Sequence, residues 1–214
     1  MEYYFADFMN ICDSRKSNNT IALSGSQKYH IPDTLRFLAT INNDHTTDRL
    51  SPRLIDRSFI VILPNEGKQN ESAQEKQIQP INWEYLKAAF SKGDIEKNTL
   101  KNYEDLKETL EKVNIPLSYR SDNAIRKYIK SASYWMSKST DCNKASRSGQ
   151  TIALDFAIAQ KALPFIDVLG DSYHVALEDL AAQLENFELT KSLDIVRRII
   201  KNGSEMDDYR FFKF

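Results

Sequence analysis

Amide and guanidinium side chains are concentrated between two apolar runs of the chain, Leu35–Ile41 and Ser58–Leu63. Asn42 and Asn43 follow the first run directly, and three arginines precede the second run: Arg49, Arg53 and Arg57. A carboxamide donates and accepts hydrogen bonds while staying neutral, and a guanidinium keeps its charge and offers a planar fork to phosphate oxygens. These residue types could together orient a phosphate group and stabilise the charge on it.

The same residues also have a structural interpretation. The triplet Asn42-Asn43-Asp44 is typical of a turn, because short polar side chains bond to their own backbone there. The arginines could cover the solvated face of a short helix, in which Arg53 and Arg57 would lie one turn apart. Asp56 could orient one of these arginines by an ion pair. Without further context, both interpretations stay open.

Two more arginines, Arg120 and Arg126, lie near the start of a predicted helix for which Ser121 is the expected N-cap. A positive charge at a helix N-terminus is mildly unfavourable because of the helix dipole, which favours a functional role for Arg120. The structural alternative is an exposed arginine at a helix start.

Before residue 66, the pattern is typical of an α/β fold. A helical stripe runs through Glu2–Cys12, and Thr20–Gly25 and Lys28–Ile31 resemble the arms of a short hairpin. The two apolar runs that flank the arginines have the length and composition of strands covered on both faces. Between them, Ser51 as N-cap and Pro52 at the first helical position predict a short helix.

Residues 66–80 are polar and charged, which is typical of a linker, and residues 81–214 have the periodicity of helices. The segment Thr151–Leu163 is apolar nearly all round, so we predict a buried helix that Pro164 stops. Two amphipathic helices follow, the second of which ends at Gly203. The aromatic tail after residue 208 is expected to pack against the protein.

Composition limits the classes of function. The 214 residues carry a net charge of −1, which argues against a broad nucleic-acid-binding face. No apolar run is long enough to span a membrane. Cys12 and Cys142 are far apart, and the three histidines are scattered, so neither a disulfide framework nor a metal site is indicated. We therefore predict a soluble protein of the cytoplasm.

The stretch Ile31–Pro64, "IPDTLRFLATINNDHTTDRLSPRLIDRSFIVILP", resembles the part of AAA+ nucleotide-hydrolysing proteins that joins sensor 1 to the arginine finger. The likeness is greatest to MoxR-like proteins and to the McrB-type subunit of methylcytosine-dependent restriction systems. "MEYYFADFMNI" is similar to the helix after their Walker B acidic pair, "LSYRSDNAIRKYI" to the sensor 2 region, and "ALDFAIAQKALP" to a later helix of the lid. The resemblance implies an incomplete α/β core sheet in residues 1–65, a linker in 66–80 and an all-α lid in 81–214.

The resemblance also implies roles for these residues. Asn42 would be sensor 1, which contacts the γ-phosphate or orients the attacking water, with Asn43 as the reserve candidate. Arg57 would be the arginine finger for the nucleotide of a neighbouring subunit, a group worth on the order of 10³ to 10⁵ in rate. Arg53 could share that role. Arg120 would be sensor 2, and Arg126 is its competitor.

Two essential parts of such an enzyme are missing. No G-x-x-x-x-G-K-[ST] loop is present, since Gly67-Lys68 is followed by Gln69, and no apolar strand ends in an acidic pair. We therefore expect a fragment or truncated reading frame that does not hydrolyse nucleotide alone or bind it tightly.

The full-length protein would use ATP or GTP with Mg²⁺ and form a homo-oligomeric ring. A restriction or anti-phage system would be its setting, with a possible nuclease partner subunit, access to DNA through the assembly and no membrane contact. The alternative is a helical protein- or DNA-interaction module without NTPase activity.

Overall fold

The computed structural model describes residues 20–22, 28–30, 32, 35–42, 50–63, 80, 82–138 and 147–212, and these are mostly helical. Strands β1 (Thr20–Ala22) and β2 (Lys28–His30) pair antiparallel, with Thr20 opposite His30, which confirms the predicted hairpin. The predicted helix Glu2–Cys12 lies outside the described residues.

The prediction of strands at Leu35–Ile41 and Ser58–Leu63 is wrong, because neither range forms a strand. The second range instead lies on the helical part of the molecule. The amide of Ile60 donates to the carbonyl of Gln160 at 2.9 Å, and Ile60 and Ile62 pack against the helical core. An apolar run of this length can be covered by helices as well as by a sheet, which periodicity alone does not distinguish.

Seven α-helices and a second two-stranded sheet make up the rest of the described structure. The helices are α1 (Pro52–Ile55), α2 (Trp83–Phe90), α3 (Lys97–Lys112), α4 (Tyr119–Met136), α5 (Gly149–Lys161), α6 (Ser172–Asn186) and α7 (Thr190–Gly203). A 3₁₀ turn, Leu163–Phe165, follows α5. Strand β3 (Asp167–Leu169) precedes α6 in the chain and strand β4 (Asp208–Arg210) follows α7. The two strands pair antiparallel.

Helix α5 lies at the centre of the helical part and packs against α4 and α7. Nine of its 13 residues are buried, which confirms the predicted buried helix, and Pro164 lies in the turn that follows it. Its N-terminus approaches α4 closely, because a Cβ on Gly149 would lie 2.5 Å from the carbonyl oxygen of Ser133. Glycine therefore permits this contact.

One core joins helices α3 to α7 with the second sheet, and its largest buried side chains include Tyr103, Leu106, Ile125, Leu154, Tyr209 and Phe211. The burial of Tyr209 and Phe211 confirms that the aromatic tail packs against the protein. The amide of Phe211 also donates to the carbonyl of Ile166 at 2.9 Å, which continues the pairing of β3 with β4. None of the helices described here has both the length and the apolar composition needed to cross a bilayer.

The start of α4 corrects one sequence prediction. Its N-cap is Ser118, whose hydroxyl accepts a hydrogen bond from the amide of Ser121 at 3.1 Å. Ser121 therefore lies in the first turn of the helix and does not cap it. Both serines have side chains suited to an N-cap, and the hydrophobic pattern alone placed the start three residues too late.

Candidate functional site

Residues 50–63, which we call the docked segment, contain two of the predicted site residues, Arg53 and Arg57. Helix α1 forms here as predicted: Ser51 Oγ accepts from the amide of Leu54 at 3.2 Å, and Pro52 occupies the first helical position. The helix ends at Ile55, whose side chain is buried. A helix this short gains little from its own hydrogen bonds, so its position depends on contacts with the rest of the protein.

Lys161, the last residue of α5, supplies the most buried of these contacts. Its side chain reaches the end of α1, where Nζ donates to the carbonyl oxygens of Ile55 (3.1 Å), Asp56 (2.8 Å) and Ser58 (2.9 Å). The residue is only 2% exposed. Because the last carbonyls of a helix have no partner within the helix, this ammonium adds hydrogen bonds at the end of α1, where the carbonyl of Ile55 also accepts from the amide of Ser58 at 3.1 Å.

Burial lowers the pKa of Lys161 to about 8, although the carboxylate of Asp56 opposes this shift. The positive charges of Arg120 and Arg57 lower the pKa further. Three cations that come from distant parts of the sequence thus lie close enough to influence one another, and Asp56 lies among them.

Asp56 connects the docked segment to the first turn of α4. One carboxylate oxygen accepts hydrogen bonds from the hydroxyls of Ser118 and Ser121, the latter at 2.8 Å, and the other lies 3.3 Å from Nη1 of Arg120. Burial alone would raise the pKa of Asp56. The two hydroxyls, with the charges of Lys161 and Arg120, outweigh that effect and lower the pKa below its ordinary value.

Apolar contacts complete the attachment of the docked segment. The ring of Phe59 stacks on Tyr128 of α4 with centroids 5.6 Å apart, and Nζ of Lys161 lies 5.4 Å from the centre of the Phe59 ring. Farther along the segment, Val61 and Leu63 are exposed. The segment is therefore attached by a polar cluster and a small apolar contact.

The structure brings three of the predicted site residues into this region. Arg57 Nη1 donates to the carbonyl of Arg53 at 2.8 Å, so these two arginines adjoin each other on α1 and the turn after it. Arg120 reaches the same region through Asp56. Asn42 is exposed at the end of the range 35–42 and is not among the contacts of Asp56. Asn43 and Arg49 lie outside the described residues.

Arg126 belongs to a different cluster. Its Nε donates to Asp122 at 2.8 Å, its Nη2 contacts Glu104, and its guanidinium lies 5.2 Å from the ring centre of Tyr103. Lys107 also pairs with Asp122, at 3.1 Å. The hydrogen bond to Asp122 raises the pKa of Arg126 and stabilises its charge. Arg126 thus holds α3 against α4, and of the two candidate lid arginines only Arg120 contacts the docked segment.

Two residues of this site, Ser118 and Lys161, were not predicted from their sequence context. Lys161 had a visible signal, since it ends a helix that is otherwise apolar on nearly every side. A charged residue in such a place needs polar partners. Those partners lie more than 100 residues away in the chain, so their identity required the structure. Within the described ranges, no group of three or more His, Cys, Asp or Glu is arranged to hold a metal ion.

Comparison with known proteins gives one match. A family described as a domain of unknown function, DUF8727, matches residues 72–209, which include α2 to α7, strand β3 and the first two residues of β4. No curated protein and no solved structure matches the chain.

Proposed function

The chain belongs to the DUF8727 family, and we propose that it is the C-terminal part of an AAA+ NTP-hydrolysing protein of the McrB-like type. In this proposal, the docked segment is the end of the nucleotide-binding core, and helices α2 to α7 form the lid. The full-length protein acts as an oligomeric ring that hydrolyses ATP or GTP with Mg²⁺, and it drives a restriction or anti-phage system together with a nuclease partner. This chain alone lacks the G-x-x-x-x-G-K-[ST] loop and the acidic pair that would hold the phosphates and the metal ion.

One observation carries the proposal: the residue beside Arg57 binds Arg120. Asp56 accepts hydrogen bonds from Ser118 and Ser121 and pairs with Arg120 at 3.3 Å. The resemblance assigned Arg57 and Arg120 to phosphate contacts from sequence alone, and they are 63 positions apart. The ion pair between Arg120 and Asp56, the residue before Arg57, supports a shared role at the junction of core and lid.

Within this proposal, Arg57 is the arginine finger for the neighbouring subunit and Arg53 supports it. Arg120 is sensor 2 for the nucleotide of its own subunit. Arg126 is the weaker candidate, because two carboxylates already engage it. Asn42 keeps its proposed role as sensor 1. Guanidinium groups suit these tasks, since they stay charged and bind phosphate oxygens in a fork.

The coding sequence upstream of Met1 provides the first test. The proposal expects a G-x-x-x-x-G-K-[ST] loop followed by an apolar strand that ends in an acidic pair. In the polypeptide containing these motifs, Arg57→Ala should lower the rate of NTP hydrolysis by about 10³ or more and leave nucleotide binding intact. Arg198→Ala, which changes an exposed arginine on α7, is the matched control. An unrelated upstream domain, or full turnover by Arg57→Ala, would contradict the proposal.

A second candidate function is a helical protein-interaction module without NTPase activity. Tyr85, Phe90 and Trp135 favour it, because these large side chains are 76%, 47% and 42% exposed on the faces of α2 and α4. Phe90 and Trp135 also contact each other, with ring centroids 6.3 Å apart. Exposed apolar clusters are common at protein–protein contacts. An upstream sequence without either nucleotide-binding motif would favour this candidate.

A further inference from the structure

Lys161 controls the backbone on both sides of Arg57. Its ammonium donates to the carbonyl oxygen of Asp56 at 2.8 Å and to that of Ser58 at 2.9 Å, which are the residues before and after Arg57. A third bond, to Ile55 at 3.1 Å, connects the same nitrogen to the end of α1. One buried side chain of the central helix therefore fixes the point from which the Arg57 side chain projects.

Asp56 connects the same point to α4. Its carboxylate contacts three groups within four consecutive residues: the hydroxyls of Ser118 and Ser121 and the guanidinium of Arg120. A rotation or shift of the first turn of α4 would therefore act on Asp56 directly. Because Asp56 and Arg57 are adjacent, a displacement of one also displaces the other.

We propose that Asp56 and Lys161 are positioning residues that couple Arg120 to Arg57. Lys161 fixes the backbone of Arg57 to α5, and Asp56 transmits movement of Arg120 and the first turn of α4 to the docked segment. This inference rests on the proposed function, because it assigns the two arginines to two phosphate sites. The ligand that engages Arg120 is the terminal phosphate of a nucleoside triphosphate.

The coupling has a direction that follows from charge. When Arg120 turns toward a phosphate, its contact with Asp56 weakens, because the dianionic phosphate competes for the same guanidinium. Asp56 then keeps only two of its three side-chain contacts with α4. The docked segment is held less firmly, and Arg57 changes position. Linkage requires the reverse effect as well: engagement of Arg57 by a neighbouring phosphate alters the affinity at Arg120 by the same factor.

The variant Asp56→Asn tests, in this chain alone, whether Asp56 holds the docked segment on the helices. The measured quantity is the hydrogen-exchange rate of the Ile60 amide, which bonds to the carbonyl of Gln160. We expect this amide to exchange about tenfold faster in Asp56→Asn, because the segment opens locally more often. The matched control is Asp122→Asn, which removes a carboxylate that pairs with an arginine of the same helix but does not contact the docked segment. Equal exchange in wild type and Asp56→Asn would overturn the positioning role.

NTP hydrolysis by the full polypeptide tests the coupling. Asp56→Asn should lower kcat about fivefold or more, with little change in KM, and reduce the cooperativity of turnover between subunits. Asp122→Asn should keep the wild-type cooperativity. Wild-type turnover with unchanged cooperativity in Asp56→Asn would overturn the coupling alone. Absence of turnover in the wild-type polypeptide would overturn the proposed function, and the hydrogen-exchange result would still decide whether Asp56 positions the segment.

Discussion

Two aspartates each bind the first turn of another helix, but they do so with different partners. Asp155 binds the start of α7, and Asp56 binds the start of α4. Asp155 of α5 is fully buried and accepts hydrogen bonds from the backbone amides of Lys191 (3.0 Å) and Ser192 (2.8 Å) at the start of α7. Arg147 pairs with it at 2.8 Å. Asp56 is partly exposed, and its partners in the first turn of α4 are all side chains.

The difference indicates which contact can change without unfolding. The amides bound by Asp155 are part of the helix backbone, so the contact breaks only if α7 moves or its first turn opens. The hydroxyl of Ser121 and the guanidinium of Arg120, which bind Asp56, can rotate about their own bonds while α4 stays intact. The structure thus contains a fixed attachment between α5 and α7 and an adjustable one between the docked segment and α4.

Removal of the Asp155 carboxylate, the fixed attachment, should lower the free energy of unfolding more than any other change considered. Asp155→Ala leaves Arg147 and two backbone amides without their buried partner, and we expect the free energy of unfolding to fall by about 3–5 kcal/mol. Chemical denaturation followed by circular dichroism measures this loss. Asp194→Ala, on the exposed face of α7, is the control and should change stability by less than about 0.5 kcal/mol. A loss for Asp155→Ala as small as that of the control would remove the distinction between the two aspartates.

The pH dependence of the free energy of unfolding should reveal the buried ammonium of Lys161, which binds the backbone of the docked segment. The pKa of Lys161 is about 8 in the folded chain and 10.5 when unfolded, so the unfolded chain binds more protons between these values. Stability therefore rises with pH in this window, by about 2 kcal/mol from pH 8 to pH 10. Below about pH 7 the residue is charged in both states and contributes almost no slope.

Lys161→Met should lose this rise, whereas Lys201→Met, which changes an exposed lysine of α7, should keep it. The measurement is the free energy of unfolding of the three proteins at pH 7, 8, 9 and 10. An identical slope in wild type and Lys161→Met would show that Lys161 does not have the depressed pKa that its burial implies.

The smallest expected changes in stability distinguish the roles of Ser118 and Ser121, whose hydroxyls bind Asp56. Ser121→Ala removes one hydrogen bond and should cost about 1 kcal/mol. Ser118→Ala should cost about 1 kcal/mol more, because this hydroxyl also caps α4 by accepting from the amide of Ser121. Thermal unfolding of both variants measures the difference. Equal losses would mean that the cap contributes nothing beyond the contact with Asp56.

Local signals in the sequence predicted much of the helical part. Ser51 and Pro52 marked the start of α1, the apolar composition of Thr151–Leu163 indicated a buried helix, and Gly203 marked the end of α7. The start of α4 was misplaced because Ser118 and Ser121 are equally suitable caps. The apolar run Ser58–Leu63 was assigned to a sheet because the pattern of a covered strand does not reveal what covers it.

The contacts of the site were less predictable, because they join distant parts of the chain. Arg53, Arg57 and Arg120 were identified as candidates, but the carboxylate that connects Arg57 to Arg120 was expected to pair within its own segment. Asp155 and Lys161 both stand out as charges in an apolar helix, yet neither partner set could be read from the sequence. Propensity and periodicity describe a residue's own neighbourhood and carry no information about pairs that are 36 or 103 residues apart.

The most direct test of the account uses two inactive variants of the full polypeptide. In the proposed function, Arg57→Ala removes the group that would act on the nucleotide of the neighbouring subunit, and Arg120→Ala removes the group that would act on the nucleotide of its own subunit. Each variant alone should hydrolyse NTP far more slowly than wild type. When the two are mixed, some interfaces combine an intact Arg57 with an intact Arg120, and we predict partial recovery of turnover. Mixtures that stay as inactive as their components would contradict the assignment of the two arginines to different subunits' nucleotides.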